Sequence, residues 1–383
     1  MKRLGIFCVI ICMVVGCLPL TARAVDLNVP AKAAILIDAA TGTVLYEQDA
    51  HMPLPPASVT KVMTMLLIME AIDDGRIGWE DTVTASATAA AKGGSQIYLK
   101  EGETMSVATL LKSVAVSSAN DAACALAEHI AGSETAFVSQ MNQRAKELGM
   151  NETNFVNCTG LDDDETAENH RTSAYDIALM SRELLTKHPD IKKFTTIWMD
   201  TVRDGSFGLS NTNKLVRFYP GATGLKTGFT SGAMYCLSAS AQRDGMELIA
   251  VVMGAPSSAA RFSACKSLLD YGFAGWAVYI PELVEEAVVP VRLGKTAYVR
   301  GVLKGEPLLV EKSRRASITT ELTLAESLPA PVEEGSRIGT LRILSGEEVL
   351  SELPLTAESP VEKLTWWDMF LKLLAKTAMA EIA

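Results

Sequence analysis

Three short polar motifs follow one another along the chain, and each holds reactive side chains at a fixed spacing. They are Ser58-Val59-Thr60-Lys61, Ser118-Ala119-Asn120 and Lys226-Thr227-Gly228. Positions i and i+3 of a helix face the same way, so the amine of Lys61 can reach the Ser58 hydroxyl. A serine hydroxyl is a weak nucleophile at neutral pH and needs an adjacent base. The first motif therefore predicts nucleophilic catalysis by Ser58 with Lys61 as its base.

Lys61 can act as a base only if its amine is neutral near pH 7. Burial and a neighbouring cation both lower the pKa of a lysine, and Lys226 is the obvious second cation. The second motif supplies the remaining proton chemistry. We expect Ser118 to pass protons between Lys61 and the leaving amine. We expect Asn120 to orient Lys61 and to hydrogen-bond a substrate amide.

The third motif has the composition of a carboxylate site. Lys226 and Thr227 suit the terminal carboxylate of a substrate, and Gly228 would let that substrate approach the strand backbone closely. The backbone N–H groups of Ser58 and Phe229 are expected to form an oxyanion hole.

Arg261 lies on a predicted helix over residues 257–272, downstream of the third motif. It either stabilises the Lys226 region or the substrate carboxylate, or it is an ordinary surface arginine. A lone S-x-x-K pattern carries little weight, because Ser263 and Lys266 also match it on a helix surface. The ordered triple is more specific, since each motif falls on the element type that its role requires.

Hydrophobic periodicity and turn signals predict the elements that position the motifs. Residues 33–46 have the pattern of a hairpin, and a helix begins at Ser58. A mostly helical stretch spans about 104–190, with the second motif in a loop between two of its helices. The pattern then returns to strands at 226–229, 235–241 and 248–253.

Strands on both sides of a helical region predict an α+β fold over residues 25–276, with the first hairpin and the later strands in one antiparallel sheet. After Trp276, short β-rich runs punctuated by glycines predict a small all-β domain over 277–358, which we interpret as a spacer or docking module. Residues 359–383 repeat apolar positions at spacings of three and four and hold two of the five tryptophans. They predict an amphipathic helix at a membrane surface, with packing on the protein's own core as the alternative.

The motifs and their neighbours resemble the low-molecular-mass penicillin-binding proteins that are D-Ala-D-Ala carboxypeptidases. The matching segments are Pro56 to Lys61, Ser118 to Ala122, Thr159 to Leu161, Thr172 to Asp176 and Gly224 to Thr230. The similarity covers about residues 31–275, and the β-rich domain with its amphipathic tail also fits. Members often have glycine at Ala119, and some have histidine at Phe229, but neither difference removes a catalytic side chain.

This resemblance implies the penicillin-binding/β-lactamase-like transpeptidase fold. It implies an acyl-enzyme on Ser58, release of the terminal D-alanine of a peptidoglycan pentapeptide, and hydrolysis by water. Covalent trapping by β-lactam antibiotics is implied as well.

Three other functions remain open at this stage. A β-lactamase shares the three motifs, and Glu165 with Asn169 has the spacing of a group that activates a deacylating water, although both lie in an acidic loop. Endopeptidase action on cross-links uses the same chemistry. A non-catalytic cell-wall binder on this fold would not need the catalytic side chains, all of which are intact.

Other chemistries are disfavoured. The histidines show no metal-ligand pairing, and the cysteines after residue 24 form no close C-x-x-C pair, so we expect no metal and no cofactor and interpret these cysteines mostly as buried free thiols. No G-x-S-x-G segment frames a serine. The net charge of -10 argues against a nucleic-acid partner.

Residues 1–24 have the pattern of a signal peptide, with Lys2 and Arg3 before an apolar run and an A-x-A site at Ala22 to Ala24. A retained anchor and a lipid on Cys17 are the alternatives. We therefore expect an exported protein at the outer face of the cytoplasmic membrane or in the periplasm. Its peripheral membrane association would come from residues 359–383.

Overall fold

The computed structural model describes residue 27 and residues 29–162, 165–283, 286–305 and 307–380. The predicted signal peptide and Cys17 lie outside the described residues. The strands of the first domain are β1 (Ala33–Asp38), β2 (Val44–Gln48), β3 (Thr82–Thr84), β4 (Thr104–Ser106), β5 (Met199–Val202), β6 (Phe207–Ser210), β7 (Ala222–Thr230), β8 (Met234–Arg243) and β9 (Met246–Ala255).

The helices of this domain are α1 (Lys61–Asp73), α2 (Ala87–Ala90), α3 (Val107–Ser117), α4 (Asn120–Ala131), α5 (Glu134–Glu147), α6 (Ala174–Lys187), α7 (Lys192–Thr195), α8 (Leu215–Phe218) and α9 (Ser258–Gly275). Short 3-10 turns cover Ala57–Thr60, Glu165–Asn169 and Pro189–Ile191. The predicted start of a helix at Ser58 is thus a 3-10 turn, and the α-helix proper begins at Lys61.

Strands β2-β1-β9-β8-β7 form one antiparallel sheet in that order. The prediction that the first hairpin joins the later strands is therefore confirmed. Successive side chains of a strand point to opposite faces. Ile35 and Ile37 accordingly pack against the helical region, whereas Ala34 and Leu36 pack in a second core with α9. Both faces of the sheet are covered, which explains why all six residues of β1 are buried.

Helix α1 runs through the middle of the helical region and is buried on nearly all sides from Lys61 to Met69. Serine side chains cap three other helices of this domain: Ser106, Ser173 and Ser257 accept hydrogen bonds from the first turns of α3, α6 and α9. Helix α5 was not predicted as a separate element, because it buries few apolar side chains on an otherwise polar surface.

The second domain contains β10 (Trp276–Tyr279), β11 (Val288–Arg292), β12 (Tyr298–Leu303), β13 (Leu308–Glu311), β14 (Ile318–Leu324), β15 (Leu328–Pro329), β16 (Arg337–Ser345) and β17 (Glu348–Ala357). Six of them form a sheet in the order β14-β16-β17-β12-β11-β15, around a small core of its own. Strand β10 leaves α9 directly and pairs with β13, which connects the two domains.

Helix α10 (Trp366–Ala380) follows the second domain. The Thr365 hydroxyl accepts from the Asp368 N–H at 3.2 Å, and the Asp368 carboxylate accepts from the Thr365 N–H at 2.8 Å. This reciprocal capping box fixes the start of the helix. Trp366 and Trp367 are 72% and 63% exposed, so the apolar face begins uncovered. Within the described residues, no helix combines the length and apolar content that crossing a membrane requires.

Candidate active site

The turn Ala57–Thr60 brings Ser58 and Lys61 together at the start of α1. The Lys61 ammonium nitrogen Nζ lies 2.9 Å from the Ser58 hydroxyl and 2.7 Å from the Thr159 carbonyl oxygen. Its side chain is fully buried. The predicted contact between nucleophile and base is therefore present in the structure.

Burial lowers the pKa of Lys61 to about 7, because a charged amine is poorly solvated in the interior. Cys158 and the Asp121 carboxylate act weakly in the opposite direction. The sequence suggested repulsion from Lys226 as a second cause of this low pKa. Repulsion between the two lysines instead lowers the pKa of Lys226. At neutral pH, a substantial fraction of Lys61 is unprotonated and able to accept a proton.

A chain of hydrogen bonds holds the turn before Ser58. The Val156 N–H donates to Nδ1 of His170 at 3.3 Å, so Nε2 of the neutral ring carries the proton. That nitrogen lies 2.8 Å from the Thr60 hydroxyl, which donates to the Ala57 carbonyl at 2.9 Å. Ala57 has a φ of +48°, a conformation that non-glycine residues rarely adopt. Nothing in the sequence places residue 170 beside residue 60.

The second motif lies between α3 and α4. Ser118 ends α3 in a left-handed conformation, with a φ of +63°, and is 4% exposed. The Asn120 side-chain amide donates to the Gly93 carbonyl at 2.7 Å, and its backbone N–H donates to the Ser95 carbonyl at 2.7 Å. Its side-chain oxygen is buried and has no hydrogen-bond partner among the described residues.

The predicted orientation of Lys61 by Asn120 is not seen, because in the described part of the chain Lys61 bonds to Ser58 and Thr159. Asn120 instead fixes the loop that begins at Gly93. Its free carbonyl oxygen is left as a buried acceptor, which suits a substrate N–H.

The third motif lies on β7, beside the turn of the first. Lys226 is fully buried, and its Nζ donates to the Thr227 carbonyl at 2.9 Å. Burial, followed by repulsion from Lys61 and Arg261, holds the pKa of Lys226 well below its usual range. The Thr227 hydroxyl donates to the Thr212 hydroxyl at 2.7 Å. A substrate carboxylate beside Lys226 would favour the charged form of its amine, which burial disfavours.

Gly228 lies where β7 passes close to the turn of Ser58. A Cβ atom there would lie 2.7 Å from the Pro56 carbonyl oxygen and 3.1 Å from the Ser58 nitrogen. The missing side chain thus lets β7 pack against the turn of Ser58. The same close approach places the Ser58 nitrogen beside β7.

Arg261 is only 8% exposed, which excludes the surface-arginine interpretation. Its guanidinium donates to the Gly228 carbonyl at 2.8 Å and to the Cys236 carbonyl at 3.3 Å. Arg261 therefore bonds the backbones of both β7 and β8 from helix α9. Phe229 is 53% exposed and packs on Tyr235, with 4.4 Å between ring centroids.

Four cysteines of the described residues are free and buried, as expected. Donor atoms of Cys124, Cys158 and Glu134 lie within 4.8 Å of one another, a grouping that sequence spacing could not show. Glu134 is already paired with Lys92 at 2.6 Å. A hydrogen bond with Cys124 and burial raise the pKa of Cys158 well above its usual range. These groups satisfy one another without an ion.

A serine in contact with a fully buried lysine at the start of a helix, with a second buried lysine on the edge strand of the sheet, is the arrangement typical of the active-serine penicillin-binding class. The chain belongs to the D-alanyl-D-alanine carboxypeptidase family, whose model matches residues 20–257. Residues 284–363 match the C-terminal domain of penicillin-binding protein 5.

Two curated relatives illustrate the similarity. The chain is 43% identical to the D-alanyl-D-alanine carboxypeptidase DacF of Bacillus subtilis over 349 residues, which is 89% of this chain and 88% of that protein. It is 33% identical to DacA of Escherichia coli over 342 residues, or 86% and 83% of the two chains.

Solved structures agree with the fold. A peptidoglycan synthesis regulatory factor from Streptococcus pneumoniae superposes with a TM-score of 0.73 at 31% identity, covering 88% of this chain and all of that one (100%). Penicillin-binding protein D2 of Listeria monocytogenes, solved with ampicillin bound, has a TM-score of 0.59 at 34% identity and covers 65% of this chain and 99% of its own. The predicted α+β fold with an all-β second domain is confirmed, and the protein is a serine-type D-Ala-D-Ala carboxypeptidase.

Proposed function

We propose that Ser58 is the nucleophile and Lys61 its general base. The observation that carries this proposal is the 2.9 Å contact between Lys61 Nζ and the Ser58 hydroxyl, made by an amine with a pKa of about 7. Lys61 takes the hydroxyl proton as Ser58 attacks the carbonyl carbon between the two terminal D-alanines. The oxyanion forms against the N–H groups of Ser58 and Phe229.

The tetrahedral intermediate then collapses to an acyl-enzyme. The leaving D-alanine amine takes a proton from Lys61, relayed by the hydroxyl of Ser118. A water molecule attacks the ester carbonyl, again with Lys61 as the base, and Ser58 regains its proton. Each half of the reaction thus returns Lys61 to its neutral form.

The substrate's terminal carboxylate lies at Lys226 and Thr227 in this proposal. Burial of Lys226 without an anionic partner in the described part of the chain supports this placement, since a carboxylate would pair with it. Arg261 acts on the site through the Gly228 carbonyl and is a positioning residue rather than a ligand. Asn120 contributes its unpaired side-chain oxygen to a substrate N–H.

The first test is mass spectrometry of the purified protein after incubation with penicillin, followed by peptide mapping. We expect one adduct, on Ser58. Ser58→Ala should lose both the adduct and peptide turnover while keeping its unfolding temperature. Normal turnover by this variant would overturn the assignment, and rapid penicillin hydrolysis without a lasting adduct would favour the β-lactamase alternative.

Peptide assays separate the remaining alternatives. Release of D-alanine from a pentapeptide supports the carboxypeptidase, whereas release of cross-linked stem peptides without free D-alanine would identify an endopeptidase. A folded protein that forms no adduct with penicillin would be a binder. Ser263→Ala, on the helix that carries the second S-x-x-K match, is the matched serine control and should keep the adduct.

Helix α10 is proposed to hold the exported protein at the membrane surface. Support comes from the exposed Trp366, Trp367 and Leu371, on an amphipathic helix that begins at its own capping box. The clean truncation point is after Thr365, because Val361 is buried in the core of the second domain. Removing residues 366–383 should release the protein from membranes and leave D-alanine release unchanged. Continued attachment would point to Cys17 or to a retained leader.

A further inference from the structure

The turn between β11 and β12 carries exposed apolar side chains at one end of the second domain. Leu293 is 57% exposed and Tyr298 is 59% exposed. Both flank the same short connection, which runs from residue 292 to residue 298. Single exposed hydrophobic residues are common on protein surfaces, so their backbone, neighbours and charges decide whether they matter.

The backbone of Leu293 makes its presence harder to explain by folding alone. Its φ is +59°, in the left-handed region that favours glycine or asparagine. A leucine there is strained, and its side chain gains little from packing. Such an unfavourable conformation, kept at an exposed apolar residue, points to a contact outside the domain.

The turn is fastened to the segment that leads into α10. The Leu364 N–H donates to the Leu293 carbonyl at 2.8 Å, and the Lys295 N–H donates to the Glu362 carbonyl at 2.8 Å. Gly294 forms a β-bridge with Lys363. The turn and the start of α10 therefore lie side by side at the same end of the domain.

The charge at this end of the domain is positive, whereas the net charge of the whole chain is -10. Arg292, Lys295 and Lys363 are all exposed around the turn. Glu362 pairs with Lys295, and Asp368 lies close enough to act on the same lysine, so three cations and two carboxylates leave one net positive charge. The local excess of cations beside exposed apolar side chains matches the anionic headgroups and the acyl boundary of a lipid surface.

We propose that the hairpin tip, residues 292–298, is a second contact with an anionic phospholipid bilayer, beside α10. This inference rests on the proposed membrane role of α10. Leu293 and Tyr298 enter the interface, while Arg292 and Lys363 meet lipid phosphates. Because the tip and the root of α10 are bonded together, two contacts would fix the orientation of the second domain, which one helix alone would leave free to swing.

Photo-crosslinking tests the contact directly in the full chain. p-Benzoyl-phenylalanine replaces Leu293 in one sample, Phe370 of α10 in a second and Val349 in a third. Val349 is 38% exposed and lies in the same domain, eight residues before Ala357 on β17, or roughly 27 Å at 3.4 Å per residue. Each protein is irradiated on vesicles of phosphatidylcholine with phosphatidylglycerol and analysed for attached lipid.

We expect lipid adducts at positions 293 and 370 and none at 349. Adducts at 370 without 293 would overturn the role of the tip and leave that of α10 standing. No adduct at 370 would overturn the role of α10, and the tip would then stand or fall on position 293 alone. Equal labelling at 349 would indicate nonspecific association and overturn the proposed contact.

Substitutions provide a second readout. Leu293→Asp combined with Tyr298→Asp should weaken binding to these vesicles about tenfold, since both insertion and charge attraction are reduced. Val349→Asp should leave vesicle affinity unchanged. Penicillin labelling and the unfolding temperature of each variant establish that the protein is folded. Unchanged affinity in the folded double variant would overturn the proposal.

Discussion

Lys61 illustrates how a single buried amine can be made reactive. Its ammonium form has two oxygen neighbours, Ser58 and Thr159, and neither carries a full negative charge. Desolvation therefore outweighs the influence of Cys158 and Asp121 and brings the pKa to about 7. A lysine on the surface would stay protonated at neutral pH and could not accept the proton of Ser58.

The rate of acylation by penicillin should follow this pKa. Lys61 must be neutral to accept a proton, and it is protonated below about pH 7, so the rate should rise about tenfold per pH unit below pH 7 and level off above it. Stopped-flow measurement with a fluorescent penicillin between pH 5 and pH 9 would check this. A profile that is flat across pH 7 would contradict a base role for Lys61.

At the residue scale, the sequence predicted which side chains are reactive better than it predicted which residues contact them. The reactive pair follows from an i, i+3 spacing within one helical segment, which local geometry fixes. The link from Val156 through His170 to Thr60 joins segments about one hundred residues apart and has no sequence signal. Likewise, the sequence does not show that β7 packs against the turn of Ser58, although this packing leaves no room for a side chain at Gly228.

At the scale of elements, the loop after Cys158 packs unusually closely against the turn that holds Ser58. Gly160 has a φ of +81°, and a Cβ atom there would lie 1.9 Å from the Ala57 carbonyl oxygen. Thr159, next to it, supplies the carbonyl that binds Lys61. The two segments can therefore form the site only with glycine at this position.

Gly160→Ala should destabilise the protein by about 4 kcal/mol or more and abolish penicillin labelling, because backbone must move to admit the methyl group. Gly132→Ala is the matched control: its φ is +80°, and a Cβ atom there has nothing within 4 Å. That variant should lose only about 1 kcal/mol for the left-handed conformation and keep its labelling. Urea unfolding with a labelling assay would measure both, and equal losses would refute the proposed clash.

Elements with strong periodicity were predicted well, and polar ones were not. The antiparallel partners of β1 follow from apolar runs that must be covered on both faces. Helix α5 and the β5–β6 hairpin lie at the surface, where few buried positions mark the period. Their boundaries depend on tertiary contacts that one sequence does not reveal.

At the scale of the whole molecule, the two domains have separate buried cores and meet at strands β10 and β13. The second domain has its own buried cluster, and β10 pairs with β13 where it meets the first. Such domains can unfold separately when little apolar surface is shared between them. The two family models match residues 20–257 and 284–363, and β10 lies between these two ranges.

Differential scanning calorimetry should therefore show two transitions. Covalent penicillin on Ser58 should raise the transition of the first domain and leave that of the second unchanged, because a ligand stabilises only the unit that binds it. Ser58→Ala with penicillin is the control and should show no shift. A single transition that moves as a whole would mean that the domains unfold as one unit.

Strand β17 spans the second domain from end to end. Leu350, near its start, lines a pocket with Thr43 of the first domain. Ala357, at its end, lies next to the segment that leads to α10. Its ten residues cover roughly 34 Å. If α10 lies on a bilayer, as proposed above, the length of β17 would set the distance between the lipid and the first domain. The reach of the proposed enzyme into peptidoglycan would then depend on that distance as well as on its affinity for the peptide.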